Sequence, residues 1–347
     1  MISGLTEPAA RARLQQLGVA AAIGLAAGLA NFGLFPLHHG GDFIQFHYHA
    51  SVWLHGGDPY IGGYPIMRAT RLIPEPLFYP FPALLIVAPF ALLPIRIAAA
   101  AFVAVSAAIL AFGLLRRSPK RLPLFLGSGF LVSLVLAQWP PLITAGALFP
   151  ALGWLAVVKP NLGVAVTAAR PTWVAVIGGS LLVAITLAIQ PNWPAEWIRN
   201  LHSMPAHPAP VLLPGGVIVL IALARWRRWE ARLLVAMACV PQLMYFADQL
   251  PLWLVPRTRR EAIVLSVTSM LAWTAALVLG VRAGRQPAFN SNVFVFLGVY
   301  APAVAMVLRR PNQGPLPEWL ERVVLRLPAR IRGRSGLRDD DQPSMDR

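Results

Sequence analysis

The chain has 347 residues, of which 57% are hydrophobic and only 13% charged, with a mean hydropathy of +0.61. Soluble domains carry roughly 25% charge, so these values exclude a pair of soluble domains and indicate one polytopic, all-α membrane unit with a short polar tail. The net charge of +16 is gathered in short arginine-rich loops, which is the positive-inside pattern and not that of a nucleic-acid surface.

In chain order, apolar runs recur near the length that spans a bilayer, about 17–25 residues. Arg11 and Arg13 precede an apolar run from Leu17 to about Leu37. The run is long for a signal-peptide core and lacks a small-x-small cleavage site, so it reads as an uncleaved first span entering from the cytoplasm. An outside loop follows over about 38–80. The segment at 79–94 is apolar but short and broken by prolines. If 81–94 crossed, the basic cluster at 116–121 would lie outside, against the charge rule, so either that segment is re-entrant or a short span is miscounted. Further spans are expected over 97–115, 122–137, 142–158 and 172–189. The piece at 162–169, between Lys159 and Arg170, is too short to span, and Lys159 reads as an inside anchor. A second outside loop covers 190–210. Residues 233–256 lie between basic clusters and should cross twice or dip and return, and 262–280 and 289–308 complete about nine to eleven spans. Residues 1–310 form the membrane unit; 311–347 form a cytoplasmic tail with a basic amphipathic segment at 317–334 and a disordered acidic end.

Of the fourteen acids, six lie in the tail, and Glu7, Glu230 and Glu261 sit by basic clusters. Asp42, Asp58, Glu75 and Glu196 fall outside, and Asp248 lies in an apolar segment, where an acid is costly and a functional candidate. All seven histidines (His38, His39, His47, His49, His55, His202, His207) fall in the two outside loops. Interfacial loops favour tryptophan and tyrosine, but that preference does not account for seven histidines on one side.

The stretch "GGDFIQFHYHASVW" reads as a short external helix. Asp42, Gln45 and His49 share one face, beside an apolar stripe of Phe43, Phe46, Ala50, Trp53 and Leu54. Asp42 after two glycines is also a natural N-cap, and Gln45 resembles its capping-box partner, on a helix lying flat on the membrane. Asp58 in "GGDPY" suits an Asx turn before Pro59. A metal site from Asp42, His47, His49 and Asp58 is open, and a divalent cation is compatible, but there is no HExxH or paired-cysteine pattern. The lone Cys239 has no disulfide partner. No phosphate-binding glycine loop or nucleophile elbow is present.

Four stretches together resemble glycosyltransferase family 87, membrane enzymes of the GT-C type. They are "GDFIQFHYHASVWLHGGDPY" (41–60), "FYPFPALLIVAPFALLP" (78–94), "VVKPN" (157–161) and "VPQLMYFADQLPLWLVP" (240–256). The resemblance covers most of residues 15–260. It departs from the family pattern at Phe81-Pro82, at Asn161, where glutamine is usual, and in the late segment, which has Asp248 but no histidine.

The resemblance implies a GT-C-like helical bundle with short external amphipathic helices. It implies transfer of a hexose, mannose favoured, from a polyprenyl-phosphate sugar to a lipid or glycan acceptor on the outer face of the cell membrane, with no nucleotide cofactor and membrane lipids as partners. Asp42 would be the general base, deprotonating an acceptor hydroxyl as the bond to phosphate breaks. Gln45, His49, Asp58, Tyr60, Tyr79, Tyr245 and Asp248 would bind substrate. Arg199 or His202 would stabilise the leaving phosphate; Arg68 and Arg71 are the other external arginines. A transporter or flippase would instead need inverted repeats and polar residues at mid-membrane, and a non-catalytic subunit would keep the loops without activity.

Overall fold

A computed structural model describes residues 7–68, 71–204, 207–282 and 292–314; the tail segment and acidic end named above lie outside these residues. The chain is mostly helical. Helix α1 (Glu7–His38) leads through a tight turn to α2 (Phe43–Leu54). A two-stranded antiparallel hairpin follows, β1 (Tyr64–Arg68) and β2 (Arg71–Glu75), with Tyr64 opposite Glu75 and Arg68 opposite Arg71. Then come α3 (Phe81–Ala91), α4 (Ile95–Arg117), a 3₁₀ segment (Pro119–Leu126), α5 (Ser128–Val135), α6 (Pro140–Leu148), a second 3₁₀ segment (Pro150–Val158) and α7 (Pro160–Ala169). Helices α8 (Trp173–Ile189) and α9 (Trp193–His202) precede a 3₁₀ segment (Gly216–Arg225), α10 (Trp229–Cys239), another 3₁₀ segment (Ala247–Leu254), α11 (Arg259–Arg282) and α12 (Asn292–Leu308).

Among the described residues three helices, α1, α4 and α11, are long and apolar enough to cross a membrane. The pair α8–α9, bent by 97°, makes a fourth if taken as one span. This is consistent with a chain embedded in a membrane. Helices α1, α8 and α11 carry exposed leucine, isoleucine and valine along their outer faces. The short elements α5, α6 and 247–254 are buried among them. Irregular backbone at membrane depth is tolerated only where protein covers it.

Small residues set the closest helix pair. A Cβ on Gly24 would stand 2.5 Å from the Ala104 carbonyl oxygen, and one on Gly28 would stand 2.8 Å from that of Ala100. The glycine pair at i and i+4 lets α1 lie directly on the alanines of α4, as small-residue stripes do between membrane helices. The contacts pair Gly24 with Ala108 and Phe32 with Arg96, so the helices run antiparallel.

Two ends of the bundle follow. At one end Asn31 of α1 donates to the Leu134 carbonyl at the end of α5 (2.8 Å), and Gln190 after α8 donates to Asp58 (3.2 Å). At the other, Arg121 donates to the Pro256 carbonyl (2.6 Å), Arg225 to that of Arg310 (2.5 Å), and Arg257 pairs with Glu230 (2.5 Å). Successive legs pass back and forth between this basic end and the first, the site end.

Helix α3 does not join that traffic. Its Phe81 packs on Trp53 at the end of α2 (ring centroids 5.3 Å apart), and Leu93, just past its end, accepts from His47 near the start of α2 (2.8 Å). It lies antiparallel along α2 at the site end. The stretch 142–158, expected as one span, is broken at Phe149-Pro150 into two legs; Leu148 reaches the basic end, and Lys159 is back at the site end. Residues 233–256 dip and return, as α10 and 247–254.

Candidate functional site

The site begins with the turn that the sequence writes as "HHGGD". His39, Gly40 and Gly41 have φ of 50°, 94° and 55°. Glycine takes two of these three left-handed positions without the Cβ penalty, and Gly41 has a second reason: a Cβ there would lie 2.5 Å from the Leu136 Cα. The bare backbone of Gly41 therefore packs on the 136–138 turn, where buried Ala137 also has a positive φ of 48°. This close approach brings Asp42 against Gln138.

Four side chains then form a chain. The Gln138 amide donates from Nε2 to the Asp42 carboxylate, and its Oε1 accepts from Lys159 Nζ (3.5 Å). Lys159 pairs with Asp248 at 2.5 Å, with both side chains buried. Each amide end of Gln138 meets the ionic partner that suits it. Tyr79 stands over Lys159, its ring centroid 5.9 Å from Nζ, and packs edge-on against Phe46 (4.4 Å). Phe46, Phe102 and Trp139 form the aromatic floor beneath. Tyr245 lies within the electrostatic reach of both Asp42 and Asp248, and His207 within that of Asp248.

Asp42 is itself exposed, while the groups behind it, Gln138, Lys159 and Asp248, are buried. Protein packed on its inner side shields the carboxyl and pushes it up to about 6; the Lys159 charge and the Gln138 hydrogen bond pull it down, and Asp248 and Glu75 add to the rise. This is the range in which a carboxylate is ionised at neutral pH yet basic enough to take a proton.

Several sequence expectations are corrected. Asp42 occupies the N-cap position of α2 but makes no capping hydrogen bond, and Gln45 donates to Glu75 instead of closing a capping box. The apolar stripe of α2 packs on protein rather than on a membrane surface: Phe43, Phe46 and Ala50 are fully buried. His49 does not share Asp42's environment. It is 1% exposed among that stripe, and burial holds its imidazole below the usual range despite the nearby Pro59 and Glu75 carbonyls.

Asp58 makes the expected Asx turn, accepting from the Tyr60 amide (2.8 Å), and is bound on its other oxygen by Gln190. Tyr60 donates to the Tyr79 carbonyl (2.9 Å). Both brace the loop and neither enters the Asp42 group. Helix α9 turns Trp197 and Asn200 inward, onto the Phe78 and Leu77 carbonyls (3.0 and 3.1 Å). Arg199 and His202 therefore fall on its exposed face. Lys159, expected as an anchor at the basic side, stands at the opposite end.

Of the predicted residues, the fold thus gathers Asp42, Tyr79, Tyr245 and Asp248, with Gln45 reaching the site through Glu75. Sequence reasoning missed Gln138, whose signal was a lone amide in the proline break "QWPP". Among the described residues no three His, Cys, Asp or Glu converge as a metal-ligand set. The histidines that make hydrogen bonds meet mainly backbone: His38 with the Asn31 carbonyl and the Gly40 amide, and His55 with the Ser51 carbonyl. No family model, curated protein or solved structure matches the chain.

Proposed function

We propose that the protein is a multi-pass membrane glycosyltransferase that moves a hexose, mannose favoured, from a polyprenyl-phosphate carrier to a lipid or glycan acceptor. The observation that carries this reading is the Asp42 carboxylate: it makes no capping hydrogen bond to its helix, is exposed, and is held by Gln138 beside the buried Lys159–Asp248 pair. A sugar hydroxyl is a poor nucleophile at neutral pH. A carboxylate within hydrogen-bond reach takes its proton as the anomeric carbon leaves phosphate, and the proton rests on Asp42 until solvent removes it. Lys159 supplies a cation beside the reacting region. Its charge is largely matched by Asp248, so it tunes and positions more than it attracts. The arginine-rich end faces the cytoplasm on the positive-inside rule, which turns Asp42 to the outer face and leaves the carboxy-terminal tail inside.

The experiment is sugar transfer in proteoliposomes, from radiolabelled polyprenyl-phosphate-mannose to a crude lipid extract of the native host. Labelled product formed by the wild-type chain supports the reading. No product with mannosyl, glucosyl or arabinosyl donors overturns it in favour of a transporter or a non-catalytic subunit.

A further inference from the structure

At the basic end, far from Asp42, the legs leave a cavity of about 290 Å³ lined by Arg117, Arg121, Arg170, Arg257, Trp229 and Glu230 among others. Four guanidiniums face one carboxylate. One oxygen of that carboxylate is already engaged: Oε1 of the fully buried Glu230 pairs with Arg257 at 2.5 Å and lies 3.7 Å from Arg310. Among the described residues, no carboxylate lies within ion-pair distance of Arg117, Arg121 or Arg170. Nor are all of these side chains free to reach away into solvent. Arg121 is held by the Pro256 carbonyl and by Ser118 Oγ (2.7 Å), and Arg170 reaches the Ala147 carbonyl (3.4 Å). Each guanidinium has five N–H donors, so donors remain for a ligand.

The ends of α4, α6 and α7 explain why cations gather here, since helix C-termini favour positive charge. They do not explain a surplus turned onto one cavity. The start of α10, at Trp229, adds a positive helix end to the same space, and Trp229 is a residue type that sits at headgroup level. Guanidinium forks match phosphate oxygens, and basic pockets between membrane helices take anionic headgroups. We propose that this cavity binds the phosphate of an anionic lipid headgroup from the leaflet bordering the basic end. The proposal stands independently of sugar transfer.

The test is native mass spectrometry of the full chain in detergent, with phosphatidylglycerol or phosphatidylcholine added. The expected result is retention of phosphatidylglycerol over phosphatidylcholine, weakened about fivefold by Arg117→Gln and again by Arg170→Gln. Ala147→Glu, which puts a carboxylate on the cavity wall and leaves every arginine in place, should abolish the preference. Arg260→Gln, outside the cavity, should leave it unchanged. If Ala147→Glu does not fold, the exposed Arg117 carries the test. Equal retention of the two lipids, or equal loss in Arg260→Gln, overturns the proposal. Displacement of the lipid by an equal concentration of inorganic phosphate assigns the pocket to the free anion and overturns the lipid source.

Discussion

Replacing Lys159 with methionine isolates the pair at the centre of the site. Lys159 and Asp248 meet at 2.5 Å with side chains only 10% and 7% exposed, so removing the ammonium strands a buried carboxylate. Breaking a buried pair on one side costs about 3–5 kcal/mol, whereas replacing both partners with apolar groups is often neutral or stabilising. Lys159→Met should therefore lower the melting midpoint on the order of 10 °C, and Lys159→Met with Asp248→Leu should recover most of that loss. Intrinsic tryptophan fluorescence during heating in detergent reads both. The same change removes the main charge that lowers the Asp42 pKa, so the acid limb of transfer must move above pH 6. The reasoning is refuted if the single variant melts like wild type, or if the double variant is no more stable than the single.

Gln138→Ala takes the hydrogen bond from the Asp42 carboxylate; transfer should fall roughly tenfold to a hundredfold and its acid limb should rise, as a pH–rate series would record. Gly28→Leu forces side-chain atoms into the Ala100 and Ala104 backbone and should cost about 1–3 kcal/mol, while Gly33→Ala, with open space around it, should be tolerated; thermal melts separate the two. Arg199→Ala and His202→Ala remove exposed side chains from the outer face of α9 and should each change transfer by no more than about twofold; a loss comparable to that of Gln138→Ala would place them at the leaving phosphate after all.

The sequence disclosed the long helices more readily than the short ones. Helices α1, α4 and α11 are continuous apolar runs, so length alone finds them. The legs at 128–135, 140–148, 150–158 and 160–169 are each below spanning length, and Pro140, Pro150 and Pro160 reverse the chain without adding polarity. Two legs then look like one span in hydropathy. That merging shifts the inferred side of whatever follows, which is why hydropathy and charge alone place Lys159 at the basic side.

Site residues divide by the same physics. Asp42 and Asp248 are legible because an acid is rare in such a chain, and the glycines at 40 and 41 announce the turn. Gln138 is neutral and gives no charge signal; its role exists only because Gly41 lets two turns touch. Arg199 and His202 were legible as ionisable groups in the right loop, but the inward face of α9 goes to Trp197 and Asn200, whose donors satisfy the Phe78 and Leu77 carbonyls.

The most direct test of the central claim compares wild type with Asp42→Asn for transfer from labelled polyprenyl-phosphate-mannose in proteoliposomes across a pH series. Asparagine keeps the shape but cannot accept the proton. The account predicts a wild-type rate that rises with pH through about 6 and levels off, as the carboxylate form fills. It predicts a loss of about 10²–10⁴-fold in the variant, with no limb remaining near that pH. Transfer by Asp42→Asn at the wild-type rate, with the same pH profile, would contradict it.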